Sequence, residues 1–189
     1  MKTNTQKSLI RLTQMGMLAA LAVVLMAFVR IPLVPAAPFL EYDMADAPVL
    51  IAALLFGTGP ALAILLVDSV IQAFLFGGNG WVGLLMHFVA SGALAVLVGV
   101  FYQRRHKFTD AVIGMVLGTL AMTAIMIPMN YIFTVNFFGT PKSVVDAIML
   151  PGIIPFNLIK AGLNSVIASV LFKALTPFIS KHKDIVKPA

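Results

Sequence analysis

A chain of 189 residues in which 60% are hydrophobic and 11% charged, with a mean hydropathy of +1.01, is read as a membrane protein. It has room for about six spans of roughly 20 residues and little left for a soluble domain, so one domain over residues 1–189 is expected. The absence of cysteine excludes disulfides, thiolate catalysis and cysteine metal sites, and in so apolar a chain the net charge of +6 reports orientation rather than nucleic-acid binding.

The polar, basic start Met1 to Arg11 leads into an apolar run, Leu12 to Val29, that ends at Arg30-Ile31-Pro32 without a small-residue cleavage pattern. It is read as a retained first helix, with Gly16, Ala19 and Ala20 on one face. Pro32, Pro35 and Pro38 then mark an ordered loop that carries Glu41, Asp43 and Asp46. From Ala47 to Phe76 the chain is apolar apart from a turn at Gly57-Thr58-Gly59-Pro60, which predicts helices over 47–56 and 61–76. Further helices are predicted over 82–101, 111–135 and 150–175, with a turn at Gly77 to Gly80, a basic connection at Arg104 to Lys107, a polar loop from Asn136 to Met149 and a basic tail from Lys181 to Lys187. Six spans put both termini and most lysines and arginines on the cytoplasmic side; five would divide them, so the positive-inside rule selects six.

The last helix carries Asn157, Lys160 and Asn164 at i, i+3 and i+7, on one stripe. A lysine at the centre of a spanning helix costs roughly 2.5–3.5 kcal/mol, so the stripe calls for a partner. One reading has the lysine stem reaching the headgroups while the asparagines pair helices; the other is a ligand site suited to an imide or amide edge. Asn130, two residues after Pro128, is expected to face the same outer pocket. Glu41, Asp43 and Asp46 could form a cation- or hydroxyl-binding loop, whereas an acidic N-cap for the helix starting near Ala47 accounts for Asp46 without a ligand. Trp81 is either interfacial belt or a flat pocket wall. Asp68 is read as helix pairing or docking, and His87 as a satisfied polar group rather than a metal ligand, since no second histidine stands at ligand spacing. Gly114 and Gly118 let two helices approach closely. No phosphate-cradling G-x-x-x-x-G-K motif is present, so any energy for active uptake comes from elsewhere.

Several stretches carry a resemblance: Asp43-Met44-Ala45-Asp46-Ala47-Pro48 running into Leu54-Leu55-Phe56-Gly57-Thr58-Gly59-Pro60, then Met129-Asn130-Tyr131, then Gly152-Ile153-Ile154-Pro155-Phe156-Asn157-Leu158-Ile159-Lys160. Together they resemble the substrate-binding S components of energy-coupling factor (ECF) transporters, in particular the riboflavin-specific branch. The resemblance implies a six-helix all-α membrane fold and a riboflavin pocket near the outer face. It also implies delivery to a membrane coupling subunit driven by two ATPase subunits, with no enzymatic activity, cofactor or metal in the S component itself. It matches Asn130, Asn157 and Lys160 to positions that bond the polar edge of the isoalloxazine ring, and Gly16, Ala19 and Ala20 to the face that docks on the coupling subunit. The chain departs from the branch at His87, where an asparagine is expected, and at Glu41 and Tyr42, where a hydroxyl-bearing loop is expected. Flavin mononucleotide or a pteridine is the alternative ligand, and a stand-alone carrier coupled through Asp68 the alternative mechanism.

Overall fold

A computed structural model describes residues 4–77 and 79–181, so Lys2, Lys183 and Lys187 of the expected basic termini lie outside the described residues. The element order is α1 (Asn4–Phe28), a two-stranded hairpin of β1 (Ile31–Pro32) and β2 (Glu41–Tyr42), α2 (Asp46–Phe56), α3 (Thr58–Leu75), α4 (Gly80–Arg105), α5 (Phe108–Met129), α6 (Lys142–Ile148) and α7 (Ile154–Lys181). The six predicted helices are all present. Five of the helical segments are long and apolar enough to cross a membrane.

Three boundaries differ from expectation. The first helix begins at Asn4, eight residues before the apolar run, because a polar helical turn can project beyond the hydrocarbon. The turn between α2 and α3 contracts to Gly57, whose φ of 89° and ψ of −178° suit glycine alone, so that Pro60 falls inside the first turn of α3. The stretch 136–149, expected to be a polar loop, contains α6: Val145 and Met149 bury one face while Lys142 and Asp146 pair at i, i+4 on the other.

α2 spans only about 16 Å, half of a hydrocarbon core, and every residue in it except Leu55 is buried. It is therefore the centre of the packing rather than a wall facing lipid. Leu50, Leu54, Leu65, Leu94 and Val98, all nearly inaccessible, gather α2, α3 and α4 around it. Its last carbonyls have no partner within the helix. Gln103 of α4 supplies one, its Nε2 donating to the carbonyls of Leu54 at 3.1 Å and Ala53 at 3.4 Å, and Arg11 of α1 donates to Phe56 O at 3.0 Å.

Two π-helical turns interrupt the last two spans at one end of the bundle. Asn130–Val135 follows Pro128, and Met149–Ile153 contains Pro151. A proline lacks the N–H that would meet the carbonyl four residues back, and the wider turn absorbs the break. The hairpin lies over this end of the bundle. Ile31 pairs with Tyr42 and Pro32 with Glu41, Val34 and Tyr42 pack on Phe156 at the start of α7, and Ala37 seats on Gly152.

Candidate substrate site

The partner that Lys160 demands is on the hairpin. Its Nζ lies 2.7 Å from Asp43 Oδ2, and both side chains are almost fully buried, so Lys160 forms an interior ion pair instead of reaching the headgroups. Three more bonds fix the carboxylate and its loop. Ala45 N–H donates to Oδ1 at 3.1 Å, Gln72 Nε2 to Oδ2 at 3.2 Å, and Asn164 Nδ2 to the backbone carbonyl of Asp43 at 3.0 Å. Of the polar stripe on α7, Lys160 and Asn164 thus meet at one residue 117 and 121 positions earlier in the chain.

Asp43 also forms part of the wall of a cavity of about 150 Å³ beside the hairpin, together with Arg30, Glu41, Gln72 and Asn79, and with Met26, Phe39 and Phe76 on its apolar side. Arg30 crosses its rim, donating to Phe76 O at 3.0 Å and lying 3.6 Å from Glu41. Tyr42 is buried beside Asp43 with its hydroxyl unbonded; burial, and then the Asp43 charge, push its phenol above the usual range, so it stays a neutral donor.

The two remaining amides are held by their own helices. Asn130 Nδ2 donates to Met126 O at 2.8 Å and its Oδ1 accepts from Thr134; Asn157 Nδ2 donates to Ile153 O at 2.8 Å. Each bond goes to a carbonyl four residues back, at the edge of a π-helical turn, and each asparagine is buried. Neither is bonded to Lys160. Trp81 stands apart from the polar cluster, half exposed, with its ring edge-on to Phe137 at 4.9 Å and near Phe133 at 6.2 Å.

A second polar group lies deeper. His87 Nδ1 is 3.2 Å from Ser69 Oγ and its Nε2 is 3.5 Å from Asp46 Oδ1. Asp46 is consequently not the N-cap expected from sequence: it is the first residue inside α2, its side chain turned into the bundle toward His87, and no side chain caps that terminus. Asp68 is fully buried, and neither of its carboxylate oxygens has a hydrogen-bond donor. Among the described residues no cluster of three metal-ligating side chains occurs.

The expected small-residue face of α1 is divided: Ala19 is partly buried against the core. Gly16 and Ala20 are exposed, and a Cβ added at Gly16 would meet nothing within 4 Å. Arg30 and Asn79 of the cavity wall were not among the residues singled out from the sequence, and neither was Gln72. Its signal was available, since Asp68, Ser69 and Gln72 interrupt an otherwise apolar helix at i, i+1 and i+4.

Comparison with known proteins places this arrangement. The family model described as "ECF transporter, substrate-specific component" matches residues 10–172. The riboflavin transporter RibU of Streptococcus thermophilus is 31% identical, the match covering 95% of this chain and 87% of that protein. RibU of Staphylococcus aureus is 28% identical over 95% and 97%, and the riboflavin transporter FmnP of Bacillus subtilis 29% over 92% and 96%. A solved structure of the S component of a bacterial ECF transporter superposes with a TM-score of 0.75 at 28% identity, covering 89% of this chain and 96% of that one. The chain is therefore a multi-pass membrane protein that belongs to the family of substrate-specific components of ECF transporters.

Proposed function

We propose that this chain is a high-affinity riboflavin-capturing subunit, which passes its cargo to a membrane coupling subunit driven by ATP hydrolysis in two partner subunits. The observation that carries the reading is the likeness, along more than nine-tenths of the chain, to three proteins each named as a riboflavin transporter. The chemistry of the outer end supports it. Lys160, Asn130 and Asn157 offer ammonium and amide groups to the carbonyl and imide edge of an isoalloxazine ring, and Gln72 and Glu41 offer partners to hydroxyls of the ribityl chain.

A cavity of about 150 Å³ is smaller than the roughly 300–1,000 Å³ of sites that enclose drug-sized ligands. Riboflavin entry then requires the hairpin and its loop, residues 31–43, to lift from Phe156 and Gly152 and to close again over the ring, excluding water. Lys160, released from Asp43, would turn one of its donors to the ring. A phosphorylated flavin is disfavoured because Glu41 pairs with Arg30 and Asp43 with Lys160, leaving neither cation free for a phosphate. Titration of purified protein, followed by quenching of flavin fluorescence, should give saturable binding of riboflavin with nanomolar Kd. Flavin mononucleotide should compete at least tenfold less well. Absence of riboflavin binding by folded protein would discard the ligand and call for a vitamin panel.

The exposed Gly16 and Ala20 on α1 suit close approach of the coupling subunit. Gly16→Val adds side-chain bulk to an unoccupied surface, so it should leave riboflavin affinity in detergent unchanged while cutting uptake by the assembled transporter more than tenfold. Uptake measured in cells that supply the coupling and ATPase subunits checks this, and undiminished uptake would remove α1 from the docking surface.

A further inference from the structure

A groove of about 520 Å³ runs between α5 and α7, away from the substrate site. Val116 and Leu120 form one wall and Val166 and Val170 the other, all four well exposed. Gly162 and Ser165 make the floor low by offering little side chain, and the Ser165 hydroxyl, in a residue 7% exposed, is left without a partner there. At one end stands a cation: Lys173 Nζ lies 4.2 Å from the centroid of the Phe108 ring, which holds the ammonium at the mouth of the groove.

From these observations we infer that the groove is a binding site for one anionic phospholipid, its acyl chain lying between α5 and α7 and its phosphate on Lys173. Length selects a lipid over a transmembrane helix. Along α5 the lining runs from Phe108 to Leu120, about 18 Å at 1.5 Å per residue, and along α7 from Lys173 back to Gly162, about 17 Å. Half of a bilayer core is about 15 Å, so the groove accommodates one leaflet's chain and then ends, whereas a partner helix would need a contact surface through both leaflets. Charge selects the headgroup. Lys107 immediately precedes Phe108, and Arg104 and Arg105 end α4 just before it, so the mouth of the groove faces the most basic connection in the chain. A zwitterionic headgroup would bring its own cation to that surface and gain less.

The test uses protein delipidated in detergent, then incubated with phosphatidylglycerol or phosphatidylcholine of identical acyl chains and examined by native mass spectrometry. The unaltered protein should retain one phosphatidylglycerol in clear preference to phosphatidylcholine. Lys173→Gln should lower that preference about fivefold, the contribution of one basic residue near an anionic surface. Gly162→Leu fills the floor at a position where an added Cβ meets no atom within 4 Å, so it should fold and retain neither lipid. Monodisperse size-exclusion profiles and unaltered unfolding temperatures in detergent verify that both variants are folded. Equal retention of the two lipids by the unaltered protein, an undiminished preference in Lys173→Gln, or undiminished retention in folded Gly162→Leu would each overturn the assignment.

Discussion

Lys160→Met is expected to destabilise the protein by about 3–5 kcal/mol and to abolish measurable riboflavin binding. The stability loss follows from what remains. Asp43 stays buried beneath the hairpin with only Gln72 and one backbone N–H to meet its charge, and removing one member of an interior ion pair leaves the other uncompensated. Combining it with Asp43→Asn should restore most of the stability, because a neutral amide keeps the bond from Ala45 N–H at Oδ1 and lets the Gln72 amide turn to accept. The double variant should still fail to bind the ligand, since the ammonium would be missing. Thermal unfolding in detergent, together with flavin titration of both single variants and the double, separates the two roles. A double variant no more stable than Lys160→Met would show that the pair is not the source of the loss.

Gly114→Val should prevent the chain from accumulating as a folded protein, a larger effect than any polar change outside the ion pair. An added Cβ at Gly114 would lie 2.9 Å from both Leu97 O and Val98 Cα, and one at Gly118 3.0 Å from Leu94 Cα. These are backbone atoms, so the conflict cannot be relieved by turning a side chain. α4 and α5 would have to separate along their length, where overpacking by even a methylene commonly costs about 1–3 kcal/mol. Gly114→Ala should already lower the unfolding temperature, and Gly118→Val should resemble Gly114→Val. Gly16→Val, at an exposed position of α1, is the matched control. Size-exclusion profiles of detergent extracts compare all four, and a monodisperse Gly114→Val at normal yield would contradict the close approach.

The same two glycines show what could be read locally. Their spacing in an apolar run announced close helix contact, though not that the neighbour would be α4. Likewise the polar stripe on α7 was visible as i, i+3 and i+7, and its energetic cost predicted a partner. The partner's identity was not visible, because Asp43 lies 117 residues away and no periodicity connects them. Charge neutrality could have narrowed the choice to a carboxylate, of which the loop before α2 carries Glu41, Asp43 and Asp46. The helix α6 was legible and went unread: Val145, Ile148 and Met149 recur at helical spacing after Pro141, but seven residues among polar neighbours looked like a loop. Asp46 illustrates the opposite error. A carboxylate before an apolar helix fits the capping rule, yet once inside a bundle it turned to a histidine 41 positions later, a contact that only the tertiary fold creates.

The way α2 is finished has a consequence for biosynthesis. At about 16 Å it is too short to be held by a bilayer on its own, and Arg11 and the Gly57 N–H meet the carbonyls of Phe56 and Ala53, whereas that of Leu54 is met by a residue of α4 that the ribosome adds some 50 positions later. Until Gln103 emerges, that carbonyl has no donor from α4. α2 is therefore expected to enter as a hairpin with α3 and to complete its packing once α4 has been inserted. The most buried helix of the molecule is among the first to be translated and among the last to settle.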